Sequence, residues 1–308
     1  MDIRRATTDP ELEALLSVHN AVYPHDRLGL TELRSWESQV KEMLLWVAWE
    51  DGRAAGAGMA GLLAQSPEPY GRAWVLREER RRGIGTSLYG VISDYAASRG
   101  KHVLEVWVED SDPDGEAFVR NRGFTEIGRE LRVSLDLTKI EAPEVRAPAG
   151  ITITTWADRP ELIHGMYDVA LEAMADIPGD EDDEMEPFDD WLAHEMASGP
   201  GDRRDATFVA VAGDEVVGWS KFSLSDAQPT VAHHDLTGVK RAWRKRGIAR
   251  ALKQAQIAWA KENGYVRLET RNEERNAPIR KLNAEFGYEP SGIRKLFSGP
   301  LCQGEPGS

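Results

Sequence analysis

The sequence predicts an α/β fold, with mixed sheets flanked by helices, built twice in tandem, and three observations carry that prediction. The segment Arg80-Arg81-Arg82-Gly83-Ile84-Gly85 returns 164 positions later as Arg244-Lys245-Arg246-Gly247-Ile248-Ala249. The same spacing carries Val75 onto Val239, Leu88 onto Leu252, Ala96 onto Ala260, Gly100 onto Gly264, Leu104-Glu105 onto Leu268-Glu269 and Gly123-Phe124 onto Gly287-Tyr288. The 308 residues, 41% of them hydrophobic, are the length of two domains at the usual ~100–200 residues each. A period this long is no solenoid repeat and reads as two copies of one domain, a single-chain pseudo-dimer.

Each copy has the same order of elements. An opening strand (Asp2–Arg5; Ile151–Trp156) leads into helical segments rich in Leu, Ala and Met. A hairpin follows, Leu45–Trp49 turning at Asp51-Gly52 into Ala54–Leu63, and Thr207–Val211 turning at Gly213-Asp214 into Val216–Leu224. A further strand (Arg72–Val75; His233–Val239) runs into the Arg/Gly loop. The next helix places Leu88, Val91, Ile92, Tyr95 and Ala96 on one face, and Gly100 and Gly264 stand where a C′ glycine would end it. A strand (His102–Val108; Val266–Thr270), a short helix ending at Gly123 or Gly287 and a last strand complete each copy.

Upstream of the loop the spacing changes. Asp9-Pro10-Glu11-Leu12 matches Arg159-Pro160-Glu161-Leu162 at 150 positions, so the second copy carries 14 extra residues, placed in the acidic stretch after Asp180. Between the copies, Lys139 to Gly150 holds Pro143, Pro148 and alternating charges without an apolar period, the composition of a linker. The expected domains are therefore residues 1–138 and 151–308, joined by 139–150.

Composition removes several functions. Thirty-eight Lys and Arg against 52 Asp and Glu give a net charge of −14, which opposes broad association with nucleic acid or anionic membrane. Cys302 is the single cysteine, which excludes an intrachain disulfide and a cysteine-based zinc site. No apolar run approaches the ~18 residues of a spanning helix, and the start lacks a signal-peptide core. A soluble, cytoplasmic protein without metal is expected.

The Arg/Gly loop between a strand and an amphipathic helix offers main-chain N–H groups at a helix N-terminus. Gly83 and Gly85, or Gly247 and Ala249, let a diphosphate approach the backbone, and the arginines and helix dipole favour negative charge there. Leu88 stands where the dinucleotide fingerprint needs a third glycine, and no Gly-Lys-Ser/Thr is present, so neither nucleotide-binding loop of those types applies.

With the preceding valines, Val75…Arg80-Arg81-Arg82-Gly83-Ile84-Gly85-Thr86 and Val239…Arg244-Lys245-Arg246-Gly247-Ile248-Ala249-Arg250 resemble the GNAT superfamily of acyl-CoA-dependent N-acyltransferases, and Asn276 before Gly287-Tyr288 adds to the likeness. The resemblance implies that these loops cradle the pyrophosphate of acetyl-CoA and that the pantetheine arm runs beside the strand around Leu236–Val239, with Thr237 and Val239 against it. It implies acetyl-CoA as a co-substrate; metal ligation is not expected, because the adjacent strand histidines His233 and His234 diverge and no third spaced ligand accompanies them. Many members carry a tyrosine four residues before the Gly-Phe pair, as acid to the departing sulfur; Val119 and Asn283 stand there. Asn283 is expected to pack locally instead.

Acetyl transfer to an amine needs a base near the thioester. In Ala232-His233-His234-Asp235-Leu236-Thr237-Gly238-Val239, strand alternation puts His233 and Asp235 on one face and His234 on the other, so His233 and Asp235 are the candidate catalytic pair. The alternative is that both merely line a wet cleft. The first copy offers Pro69, Tyr70, Gly71, Arg72 and Ala73 there and no obvious base, which marks it as catalytically degenerate though able to hold CoA. Eight carboxylates among residues 180–190 would draw a cationic acceptor such as a polyamine, or form a solvated loop. The expected activity is N-acetyl transfer to the primary amine of a small molecule. The competing readings are a CoA-sensing module without turnover and a protein-lysine acetyltransferase. Either a monomer or a homodimer fits.

Overall fold

The computed structural model describes residues 1–39, 42–62, 68–176, 185–196 and 203–302. It divides into two compact units, residues 1–129 with 294–308, and residues 130–293. We call them the N-terminal and C-terminal units.

The N-terminal unit holds β1 (Asp2–Arg5), α1 (Asp9–Val22), α2 (Leu30–Gln39), β2 (Glu42–Glu50), β3 (Arg53–Leu62), β4 (Tyr70–Val75), α3 (Ile84–Ser98), β5 (Val103–Glu109) and α4 (Pro113–Arg120). β6 (Thr125–Asp136) starts in this unit and ends in the other. The C-terminal unit continues with β7 (Thr152–Thr155), α5 (Ile163–Met174), α6 (Phe188–Trp191), β8 (Thr207–Ala212), β9 (Glu215–Leu224), β10 (Val231–Val239), α7 (Ile248–Glu262), β11 (Arg267–Glu273) and α8 (Ala277–Glu285). β12 (Glu289–Pro300) starts there and ends in the N-terminal unit.

Neither copy keeps its own last strand, and this moves the expected boundaries. Glu130–Asp136 of β6 pairs antiparallel with Arg267–Glu273 of β11, and Arg294–Pro300 of β12 pairs antiparallel with Val103–Glu109 of β5. The seven paired residues in each exchanged strand outweigh sequence adjacency, so residues 130–138 belong with the C-terminal unit and 294–308 with the N-terminal one. The expected linker is no free tether either. Lys261 Nζ donates to the carbonyls of Leu137, at 2.8 Å, and Ile140. Arg146 N–H donates to Gln254 Oε1 at 3.0 Å. Residues 137–148 thus run back along α7.

Within each unit the strands follow one order, β1-β2-β3-β4-β5-β12 and β7-β8-β9-β10-β11-β6. All neighbouring pairs among these are antiparallel except β4 with β5 and β10 with β11. The parallel pairs are brief: Tyr70↔Glu105 and Gly71↔Val106 in one unit, Val231↔Arg267 through His233↔Glu269 in the other. Beyond them the two strands run on without pairing, leaving a V-shaped opening on the sheet in each unit.

Each sheet buries a core on both faces. Leu88, Ile92 and Tyr95 of α3 pack with Leu104 and Val108, and Leu12, Leu15 and Leu16 of α1 pack with Leu45, Val47 and Trp74 on the other face. In the C-terminal unit Leu252, Ala255 and Ile257 of α7 pack with Phe222 and Leu268, and Met166 and Val169 of α5 with Val209 and Trp219. α1 opens with a capping box in which Glu11 Oε2 accepts from the N–H of Thr8 at 3.0 Å.

Candidate functional site

The two Arg/Gly loops adopt one conformation. Arg81 and Gly83 have φ of 64° and 86°, and Lys245 and Gly247 have 61° and 89°. Two left-handed residues separated by one other turn the chain so that its N–H groups face outward at the helix start. Arg80 Nε donates to the carbonyl of Val75 at 3.4 Å and Arg244 Nε to that of Val239 at 2.9 Å, tying each loop to the end of its strand. The first helical bonds come from Ser87 to Gly83 and from Ala251 to Gly247. The N–H groups of Ile84, Gly85 and Thr86, and of Ile248, Ala249 and Arg250, precede them, and neither N-cap residue supplies a side-chain bond. Ile84 and Ile248 are each 1% exposed and anchor these turns, so only their backbone can meet a ligand. Burying each side chain stabilises the helix start by roughly 1.5–3 kcal/mol. Gly56 on β3 makes room for this: a Cβ there would stand 2.8 Å from Ile84 Cγ2.

The charges around the loops differ. In the N-terminal unit Arg80 meets Asp112 at 2.8 Å and Asp114 at 3.2 Å, Arg81 meets Asp114 at 3.4 Å, and Arg82 meets Glu50 at 3.2 Å and also Glu79. In the C-terminal unit Arg244 pairs with Asp176 at 2.7 Å and Arg250 with Glu285. The Asp176 carboxyl is held down to about 2 by the Arg241 hydrogen bond, with Arg244 adding to it. Lys245 has no carboxylate partner among the described residues, and Arg246 lies 4.7 Å over the Trp243 ring without one. Asn276, at the N-cap of α8, stands where the N-terminal copy has Asp112.

The strands before the loops differ as well. β4 pairs with β3 without interruption from Tyr70↔Gly61 to Val75↔Gly56. β10 breaks register with β9 between His234↔Phe222 and Thr237↔Ser220, so Asp235 and Leu236 together face Lys221. This β-bulge turns main-chain groups of β10 out of the ladder beside the V-shaped opening. It also corrects the alignment of the copies. His233 pairs with Glu269 as Tyr70 pairs with Glu105, so the counterpart of His233 is Tyr70, not Pro69, and Arg72 answers to both Asp235 and Leu236.

His234 is a core residue. Gln256 Nε2 donates to the carbonyl of Lys221 at 3.1 Å, which turns Gln256 Oε1 towards His234 Nδ1, also at 3.1 Å. His234 Nδ1 therefore carries the proton, and Nε2 accepts from the Tyr288 hydroxyl. Burial pushes the imidazole well below its ordinary range. Lys253, also buried, has its ammonium nitrogen 5.2 Å over the Tyr288 ring, and burial pushes that amine down to about 7.

Asp235 Oδ2 pairs with Lys221 Nζ at 3.0 Å, and Lys221 also donates to the Glu195 carbonyl. His233 lies beside Glu269 in register, and Glu269 is 7% exposed. Sequence reasoning did not assign Lys221 or Glu269 to the site. The recurrence of Leu-Glu in both copies held the signal for Glu269, while nothing in the sequence marked Lys221. Asn283 is 1% exposed and its Nδ2 donates to Asn272 Oδ1 at 2.8 Å, while Val119 is buried in the core under α3. Thr86 Oγ1 accepts from Arg122 at 2.8 Å. Within the acidic stretch, residues 180–184 lie outside the described residues; Glu186 meets His194 Nδ1 at 3.0 Å.

Both units thus place a strand pair that stops pairing beside a helix start lined by N–H groups, an α/β arrangement built twice. A model of the Acetyltransferase (GNAT) family matches residues 11–124 and 164–288, and the chain belongs to that family. No curated protein matches the sequence. Among solved structures, a tandem GNAT protein from the clavulanic acid biosynthesis pathway is similar over 99% of both chains at 20% identity and a TM-score of 0.76. A GCN5-related N-acetyltransferase from Sphaerobacter thermophilus is similar over 98% of this chain and 96% of its own at 20% identity and a TM-score of 0.74. A glucosamine N-acetyltransferase region of a fungal multi-domain β-N-acetylglucosaminidase matches 96% of this chain and 38% of its own at 15% identity and a TM-score of 0.72. Among the described residues no helix is long and apolar enough to cross a membrane.

Proposed function

We propose that the chain transfers the acetyl group of acetyl-CoA to the primary amine of a small cationic molecule, and that the C-terminal unit performs the transfer. The observation that carries this reading is the coincidence, in one unit, of a bulged β10 with a loop whose Lys245 and Arg246 face no carboxylate among the described residues. The residues fit the coenzyme, because three helix-start N–H groups without a side-chain cap and two cations that meet no carboxylate among the described residues are what a diphosphate binds.

Acetyl-CoA, when bound, supplies an activated acyl thioester. Ile248, Ala249 and Arg250 would hold its diphosphate through their N–H groups, with Lys245 and Arg246 adding charge. Thr237, Val239 and Asn276 would border the arm. His233 would take the proton from the attacking amine, directly or through water, as the new N–C bond forms and the C–S bond breaks. Asp235, 3.0 Å from Lys221 Nζ, is the other candidate base and would add negative charge for a cationic acceptor. With valine and asparagine at positions 119 and 283, the sulfur leaves as the thiolate or takes its proton from water.

The full chain is the material for the test, because cutting within 139–150 would strip β12 from the N-terminal unit. Free thiol released from acetyl-CoA with a panel of amines measures turnover, and calorimetry measures coenzyme binding. Turnover that Arg246→Glu and His233→Ala each lower would support the reading. Binding without thiol release from any amine would favour a CoA-binding module instead, the reading that the missing phenol at Asn283 supports. No binding at all would remove both.

A further inference from the structure

The segment that follows β6 is a strap laid along α7, and it ends at the second Arg/Gly loop. Three contacts fix its course. Lys261 Nζ donates to the Leu137 and Ile140 carbonyls, Gln254 Oε1 accepts from the Arg146 N–H at 3.0 Å, and a Cβ on Gly247 would stand 3.6 Å from Pro148 Cγ. Positions 247, 254 and 261 recur every seven residues, close to two helical turns, so one side of α7 carries all three contacts. Ile140 and Ile151 pack on the core under α7, and the Ile151 N–H donates to the Pro148 carbonyl at 3.0 Å. Pro148 is thereby pinned beside Gly247, the N-cap of α7.

The N-terminal unit has no such wall. At the spacing of 164, Gly83, Gly90 and Ala97 stand where the other copy has Gly247, Gln254 and Lys261. Glycine and alanine have no side-chain donor or acceptor with which to hold a strap. A Cβ on Gly83 or Gly90 would meet nothing within 4 Å among the described residues. The strap therefore belongs to the unit whose loop presents Lys245 and Arg246 without a carboxylate among the described residues.

The strap brings a charge that the coenzyme needs. Acetyl-CoA carries a diphosphate and, on the adjoining ribose, a 3′-phosphate, a monoester of about −1.5 to −2 charge near neutral pH. Lys245, Arg246 and the helix-start N–H groups are matched to the diphosphate. Arg244 and Arg250 are held by Asp176 and Glu285. That leaves the 3′-phosphate without a cation. Arg146 is the one basic residue between Ile140 and Gly150. Two residues of chain span ~7 Å at most, so its backbone lies within that distance of Pro148 and hence close to the loop. Its side chain is 76% exposed and pairs at 3.0 Å with Glu144, itself 75% exposed. An ion pair so exposed contributes little, and a phosphate dianion displaces Glu144 at small cost.

We propose that Arg146, carried to the second loop by the strap, binds the 3′-phosphate of the coenzyme, so that the C-terminal unit distinguishes acetyl-CoA from its 3′-dephospho form. The assignment rests on the acetyl-CoA reading above and adds to it a residue from outside the repeated domain.

The experiment is calorimetry on the full chain with acetyl-CoA and with 3′-dephospho-acetyl-CoA, at ~0.15 M salt so that long-range attraction is screened. The unaltered chain should bind the phosphorylated form at least ~10-fold more tightly, the factor expected of one charge-assisted contact. Arg146→Gln should lower acetyl-CoA affinity ~10-fold and that of the dephospho form by less than ~2-fold, which brings the two together. Gln254→Ala, which releases the middle of the strap, should narrow the preference in the same way, and melting temperature checks that each variant is folded. Arg246→Glu is the contrast: it should weaken both forms alike, because both carry the diphosphate. Equal affinity of the unaltered chain for the two forms overturns the assignment, and so does an Arg146→Gln variant that weakens both alike or neither; coenzyme binding itself then stands. Failure of both forms to bind removes the acetyl-CoA reading, and this one with it.

Discussion

The N-terminal and C-terminal units share a loop to within a few degrees at its left-handed residues, yet they place it in opposite surroundings. Arg80, Arg81 and Arg82 are met by Asp112, Asp114, Glu50 and Glu79, whereas Lys245 and Arg246 meet none among the described residues. β4 is regular where β10 is bulged. Beneath the sheet, the C-terminal unit buries Lys253, Gln256 and His234 where the N-terminal unit has Tyr89, Ile92 and Gly71. A motif can therefore survive intact in a repeat while the neighbours that give it chemical meaning diverge. The local turn depends on a few backbone angles, and the field around it depends on side chains far away in sequence.

The sharpest way to break this contrast is at the paired strands. His233→Ala is expected to lower kcat by ~10²–10⁴-fold, the usual contribution of a general base, while Tyr70→Phe at the counterpart position changes it by less than ~2-fold. Equal losses in the two variants would erase the functional difference between units. Next comes the loop charge. Lys245→Glu with Arg246→Glu should weaken acetyl-CoA binding by ~10–100-fold, and Arg81→Glu with Arg82→Glu far less, because those arginines are already neutralised.

The buried lysine provides a test by pH. Lys253 holds its proton up to about pH 7 in the fold, against 10.5 ordinarily. Between those values the unfolded chain binds one more proton than the native one, so stability rises with pH across the window. Below about 7 both states are protonated and stability rests at its lower plateau. Lys253→Met should flatten this slope and raise the melting temperature by on the order of a few °C near neutral pH. An unchanged slope would show that the lysine is not the titrating group. The smallest effect is expected from Asp182, Asp183 and Glu184→Asn, Asn and Gln, which should raise KM for a cationic amine ~2-fold and only at low salt.

Much of this was legible because it is local. The spacing of 164 located both loops, both post-loop helices and the glycines that end them. The alternation of His233, His234 and Asp235 correctly separated the buried imidazole from its two neighbours. The bulge was hidden, because a single inserted residue leaves no compositional trace when the repeat is aligned without a gap downstream. The exchanged strands were hidden for a different reason. Each last strand could pair with its own copy or the other, and its alternation reads the same either way.

The sequence by itself determined that there are two copies, where the helix after each loop begins and which residues open each loop, since dihedral preference, periodicity and glycine position act over a handful of neighbours. Tertiary structure alone decided which strand completes which sheet, which arginines are neutralised, and which segment flanks the second loop. Those outcomes depend on hydrogen-bond register and electrostatic balance between residues tens to hundreds of positions apart, where a one-residue slip exchanges every partner.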